Sequence, residues 1–142
     1  MENEILISGE FSKKMIPLIK KAKRSIDIIV FDWGWYADEM GEQIQIFNNA
    51  IFNANKHGVK VRALVQKRLV KVILESLGIE SKVLHSKYLL HIKLMIIDGE
   101  IAVLGSHNYT KNAFNLNYEV SVIIKDSKSL DKLKEYFKNL YQ

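Results

Sequence analysis

Four side chains suited to phosphate chemistry fall within one largely apolar stretch, residues 89–110, which reads LLHIKLMIIDGEIAVLGSHNYT. His91, Lys93 and Asp98 form H-x-K-x4-D, and six residues later Gly105, Ser106 and Asn108 form G-S-x-N. An extended chain puts residues i and i+2 on one face, so His91 projects beside Lys93 and Ser106 beside Asn108. An imidazole can attack phosphorus or carry a proton, while an ammonium, an amide and a hydroxyl hold the charged oxygens of a tetrahedral phosphate. Taken singly, each residue has a plainer reading. A His beside a Lys is commonly an edge pair, Asp98-Gly99 suits a tight hairpin turn, and Gly105-Ser106 can simply end a strand. Two linked spacings inside otherwise apolar strands argue for a site.

Those strands need a scaffold. Phe11, Met15, Leu18, Ile19 and Ala22 recur at helical spacing and lead into the basic run KKAKR, with Pro17 expected to bend the helix. SIDIIVFDW reads as a buried strand. Met40, Ile44, Phe47, Ile51 and Ala54 mark a second amphipathic helix, closed by His57-Gly58. VKVRALV is the next strand, and RLVKVILESLG is a third helix ending at Gly78. KVLHS, YLLHIKLMIID, EIAVLGS and NYEVSVIIKD follow as strand-like runs. SKSLDKLKEYFKNLY closes the chain as a helix with Leu130, Leu133, Phe137 and Leu140 on its apolar face. Helix–strand alternation followed by hairpin-like strands predicts an α/β fold, a mixed β-sheet flanked by helices on both faces.

At 142 residues the chain reads as a single domain, 1–142, large enough for a proper core. Its 48% hydrophobic and 26% charged residues exclude a disordered chain. The absence of cysteine removes disulfides and thiolate metal sites and fits a reducing compartment. The opening MENEILISGEF lacks a basic region followed by an apolar run, so no signal peptide is expected. The apolar stretches are strand-sized, so the expectation is a cytoplasmic protein without stable membrane association. A formal charge of +5 favours polyanionic partners, nucleic acid or an anionic membrane surface, although Lys-rich surfaces also occur without them.

The H-x-K-x4-D and G-S-x-N motifs resemble the HKD signature of the phospholipase D superfamily, and the resemblance covers nearly the full chain. AKRSIDIIVFD is similar to the family's first core strand after a helix, and NANKHGVKVRALV to its helix, small turn, Gly-Val and strand. LGIESKVLH, HIKLMIIDG, LGSHNYT and NLNYEV then follow in the family's order. The resemblance implies a phospholipase D-like fold, one half per chain, and a two-step phosphodiester transfer without metal or cofactor. His91 would attack phosphorus to give a phosphohistidine, a second motif histidine would protonate the leaving oxygen, and water would release the product. Lys93 and Asn108 would neutralise and orient the phosphate oxygens, with Ser106 in support. Glu119 matches the acidic residue that the family places behind the histidine, where a carboxylate fixes the imidazole tautomer. Its plainer reading is a surface glutamate at a strand edge. Asp98 completes the catalytic set of His91, Lys93 and Glu119, in a structural, hydrogen-bonding role more than in direct chemistry.

Only one such motif is present, whereas the mechanism needs two histidines. Single-motif members resemble halves that pair across a two-fold axis, so a homodimer sharing one site is expected. The rival is a partner within the chain among His57, His85 and His107, of which His107 is expected to touch substrate. FDWGWY, residues 31–36, is expected to pack a core or a subunit interface, the alternative being stacking on bases or lipid chains. The leading expectation is a largely non-specific nuclease acting on DNA or RNA. Its alternatives are a phospholipase or phosphatidyl transferase working on phospholipid head groups, and a nucleic-acid-binding module without turnover.

Overall fold

The computed structural model describes residues 2–142. In chain order the elements are β1 (Glu4–Ile7), α1 (Glu10–Lys20), β2 (Ser25–Ile29), α2 (Gln43–Lys56), β3 (Lys60–Val65), α3 (Arg68–Ser76), β4 (Glu80–Val83), β5 (Leu94–Ile97), β6 (Ile101–Gly105), α4 (Lys111–Asn115), β7 (Val120–Ile124) and α5 (Ser127–Tyr141). One seven-stranded sheet has the order β1-β7-β6-β5-β2-β3-β4. β2, β3 and β4 are parallel, which requires the crossovers through α2 and α3. From β5 outward through β6, β7 and β1 every pairing is antiparallel.

Helices cover both faces of this mixed sheet, as the sequence predicts. All four residues of β5, Leu-Met-Ile-Ile, are buried, as a strand between two apolar layers must be. On one face Phe11, Met15 and Ile19 of α1 and Ile44, Phe47 and Ile51 of α2 share a core with Ile26, Ile28, Met95 and Val103. On the other face Leu130, Phe137 and Tyr141 of α5 pack with Ile29, Leu64, Ile96 and Ala102. Asp27 alternates onto that second face, where both its oxygens accept from Arg62 at 2.9 and 3.0 Å. The Arg62 guanidinium lies 5.1 Å from the Phe137 ring, so the ion pair is roofed by α5.

Several boundaries differ from the sequence reading. Met40 is exposed and precedes α2, because the buried stripe of that helix begins at Ile44. Pro17 lies inside α1, which runs on to Lys20. The short edge strand β1 escapes a periodicity reading because only Leu6 of its four residues is buried. α4 is likewise too short to show a period; its start is set by Thr110, whose side chain accepts from Ala113 N at 3.1 Å. The run YLLHIKLMIID is a ladder strand only over its last part. Leu94 already pairs with Ile29, the final residue of β2, so residues before it have no partner on that side, and on the β6 side the ladder ends where Gly105 N donates to Lys93 O at 3.4 Å. Gln66 holds them instead, donating to Tyr88 O and accepting from Leu90 N, both at 2.8 Å.

This topology gathers the chemistry. β1, β2, β3 and β6 finish, and β5 and β7 begin, at the same end of the sheet.

Candidate active site

At that end His91 is exposed, while Lys93, two residues on, is only 9% exposed. The Lys93 ammonium lies 3.1 Å from His91 Nε2 and 3.3 Å from Nδ1, and donates to the His91 carbonyl at 3.0 Å. His91 and Lys93 therefore do project together, although in the extended lead-in to β5 rather than within it. Burial pushes the Lys93 amine below its ordinary range, and the charge of Glu119 partly offsets that. Phe31, just past β2, sets its ring 5.9 Å from the His91 ring.

Asn108 comes from the loop after β6. Its Oδ1 accepts from Asp32 N at 3.1 Å, which ties this loop to the end of β2. The same orientation leaves its NH2 without a protein acceptor among the described residues, free to bind an oxyanion. The loop's start depends on Gly105. A β-carbon there would sit 2.5 Å from Ser121 Cα, so only glycine lets β6 and β7 approach this closely.

Ser106 donates to Glu119 Oε1 and accepts from Val120 N at 3.0 Å. The other Glu119 oxygen accepts from Asn117 Nδ2 at 3.0 Å. Ser8 closes the arrangement, donating to Asn117 O at 3.1 Å and accepting from Glu119 N at 3.3 Å. Glu119 thus lies close enough to act on the Lys93 charge, but its hydrogen bonds go to Ser106 and Asn117. Among the described residues it has none to His91, so the expected tautomer-fixing contact is absent within one chain.

Asp98 has the structural, hydrogen-bonding role expected of it, but at a distance from the rest of the catalytic set. Asp98 is at the far end of β5, up to roughly 23 Å from His91 by strand geometry at about 3.3 Å per residue. Its carboxylate accepts from Arg24 N at 2.6 Å, from Ser25 N at 3.0 Å and from Lys23 N at 3.0 Å. Burial pushes this carboxyl up, yet the three backbone donors and the Arg24 charge together hold it below the usual carboxylate range. Asp98 pins the turn before β2; it touches no reacting atom. Asp98→Asn puts an amide donor against backbone donors, and should cost about 2 kcal/mol of stability while sparing turnover per folded molecule. Denaturant melts paired with active-site titration check this. The carboxylate's contribution is complete above the unfolded value of about 3.9 and is lost as pH falls through the folded one.

His107, expected to touch substrate, is placed elsewhere. It is 1% exposed and stacks on Phe11 at 4.4 Å, facing the core rather than substrate. Nε2 lies 2.9 Å from Ser8 O, which can only accept, so Nε2 carries the proton and Nδ1 accepts from Ser121 Oγ at 2.7 Å. Burial holds His107 below the ordinary histidine value, outweighing the Ser8 bond and the Glu119 charge. The folded state therefore favours neutral imidazole, and its stabilisation is lost as pH falls below the unfolded value of about 6.5 and through the folded one. Thermal midpoints should drop on acidification from neutral pH, and His107→Gln should flatten that dependence.

The remaining histidines lie apart. His57 caps α2 at the opposite end of the sheet, and His85 follows β4, three strands across from β5. Among the described residues no second histidine contacts His91. Sequence reading placed Phe31 and Asp32 in the run FDWGWY, expected to pack with stacking on a ligand as the alternative, and did not single out Lys67. Lys67 pairs with Asp32 at 3.1 Å and sits 4.8 Å from the Phe31 ring. Their signal was position, immediately after β2 and β3, where α/β sheets place ligands. The rest of the aromatic run packs inward: buried Trp33 donates to Asn48 Oδ1 at 2.7 Å and stacks on Trp35 at 5.7 Å.

Known proteins share this framework. The family described as "Cardiolipin synthase, PLD-like domain" matches residues 15–141. A probable cardiolipin synthase of Bacillus subtilis is 27% identical over 133 residues, which cover 84% of this chain and 24% of that protein. This chain thus spans about a quarter of the length of that curated relative. Nuc from Salmonella typhimurium, described as a phospholipase D family member, superposes with a TM-score of 0.79 at 21% identity, covering 99% of this chain and 95% of that one. NucT from Helicobacter pylori gives a TM-score of 0.76 at 20% identity, covering 98% and 94%. With a single family accounting for residues 15–141 and the fold common to almost the entire length, the chain belongs to the phospholipase D-like family.

Proposed function

We propose that this protein is a phosphodiesterase that hydrolyses nucleic-acid phosphodiester bonds, in a site completed by a second copy of the chain. One observation carries the reading: an exposed imidazole, a buried ammonium 3.1 Å away and an uncommitted amide NH2 converge at one sheet end, with a single histidine among them. An incoming phosphate competes for the Lys93 ammonium, drawing it off the His91 ring and freeing a nitrogen lone pair. His91 then attacks phosphorus, the phosphorus–oxygen bond to the leaving group breaks, and His91 of the second copy gives that oxygen its proton. Water attacks the phosphohistidine in reverse fashion, losing its proton to the same second histidine. Lys93 and Asn108 carry the growing charge on the phosphate oxygens. Glu119 holds Ser106 in place and supports the Lys93 charge.

The net charge of +5 favours a polyanionic strand as substrate. A second reading has its own observation. An apolar cavity of about 460 Å³ opens beside His91, walled by Tyr88, Leu89, Leu90, Ile92, Tyr136 and Leu140, and it suits the hydrocarbon part of a phospholipid. The cardiolipin synthase relative points the same way.

Plasmid, single-stranded DNA, RNA and phosphatidyl-lipid vesicles, each with excess EDTA, separate these readings. Nucleic acids should be cut in the presence of chelator, because an ammonium and an amide do the work of a metal at the phosphate. Head-group release with intact nucleic acid would give the site to phospholipid. Inhibition by EDTA, reversed by one divalent metal, would overturn the mechanism.

A further inference from the structure

A second cleft, of about 540 Å³, opens at the opposite end of the sheet, where α1 and α2 finish and β3 begins. Its floor is apolar, built from Ile46, Ala50 and Val59, and its rim carries Lys20, Lys23, Asn53 and His57. Its size is typical of small-ligand pockets. Lys21, Lys56 and Lys60 stand exposed around it. Among the described residues, none of these five lysines forms an ion pair, so no carboxylate of the chain neutralises them.

Lysines in a helix's last turn offset the C-terminal dipole, which accounts for Lys20 and Lys56. It does not account for Lys23 and Lys60, which lie outside the helices, or for the polar groups between them. Asn49 also lines the cleft; its Oδ1 accepts from Gln45 Nε2 at 3.1 Å, which leaves its NH2 uncommitted. His57 Nδ1 donates to Asn53 O at 2.7 Å, making Nε2 the free acceptor of the neutral ring. The cleft therefore offers cations for phosphate, an amide donor and an imidazole acceptor for base or sugar edges, and an apolar floor for a flat ring.

We propose that this cleft is an exosite for a nucleic-acid strand, taking one nucleotide with its phosphates on Lys20 and Lys23. The proposal rests on the nuclease reading and extends it. An anionic lipid headgroup would use the lysines but neither the floor nor the amides. The two sheet ends are roughly 20 Å apart at about 3.3 Å per residue, or about six nucleotides at roughly 3.4 Å each. A strand of a dozen nucleotides reaches from His91 to the cleft.

The test uses His91→Ala protein, so that binding is read without cleavage, with and without Lys20→Gln, Lys23→Gln and Asn53→Ala. All three side chains are exposed, and equal thermal midpoints confirm folding. Anisotropy with a 12-nucleotide single strand should show affinity roughly tenfold weaker in the triple variant. The slope of log affinity on log salt should shrink by about 1.4, two phosphates at about 0.7 each. Lys20→Gln alone should remove about half of that slope change. In protein with His91 intact, the triple variant should raise KM for the 12-mer while turnover of bis(p-nitrophenyl) phosphate stays level. Equal 12-mer affinity and salt slope in the two proteins would overturn the exosite, as would a loss confined to anionic vesicles. Failure of the nuclease reading is distinguishable, because the chain would then cut no strand whatever its cleft binds.

Discussion

His91→Ala should abolish turnover while nucleic-acid binding survives. General acid–base catalysis is worth roughly 10²–10⁴-fold and loss of the nucleophile adds to it; under the proposed shared site one substitution removes both, because each site would take one His91 from each copy. Turnover above about a tenth of wild type would sink the assignment. The sharing itself has a quantitative signature. When equal amounts of wild-type and His91→Ala chains are unfolded together and refolded, random pairing leaves roughly a quarter of dimers with both histidines. Activity should fall to about that fraction of the same number of wild-type chains. Mixing without unfolding should leave about half, the value also expected if each chain held an independent site. A monomer by sedimentation, or a refolded mixture holding half its activity, would place the second proton carrier within one chain.

Lys93→Gln should lower turnover by roughly 10²–10³-fold, the size of effect seen when one preorganised donor to a developing oxyanion is removed. The loss should fall on kcat more than on KM, because the ammonium meets its full share of charge only in the transition state. Lys93→Arg should not rescue it. The lysine occupies a nearly closed slot, 9% exposed, and a planar guanidinium is too broad to move from the His91 ring to a phosphate oxygen there. Single-turnover kinetics on a labelled strand would measure both variants. A Lys93→Gln protein with near wild-type kcat would reduce Lys93 to a packing residue.

Both predictions stand on residues visible in one dimension, and the reason is local geometry. His91 with Lys93 and Ser106 with Asn108 are neighbours at i, i+2, a spacing that extended chain converts directly into a shared face. The buried strands β2, β3, β5 and β6 were legible because strands covered on both faces must be nearly all apolar, and α2 and α5 because their stripes keep the helical period. Glu119 stood out through its motif context. What it bonds to did not: Ser106 and Asn117 reach it only because β6 and β7 pair in a register that Gly105 permits.

The sequence by itself determined the fold class and the pairing of His91 with Lys93, since apolar periodicity and short spacings act within one element. Tertiary structure alone decided where the other members went. Asp98 shares a motif with His91, yet the length of β5 carries it to the far end of the sheet, onto the backbone of Lys23, Arg24 and Ser25. His107 sits between two loop residues of the site, yet the alternation of side chains turns it inward onto Phe11, Ser8 and Ser121. Phe31, Asp32 and Lys67 carry no motif and join His91 because parallel β2 and β3 end beside the antiparallel start of β5. Spacing along a chain fixes direction over a few residues. Which ends of which strands coincide follows from the sheet order, and that is set by how the two apolar faces are buried.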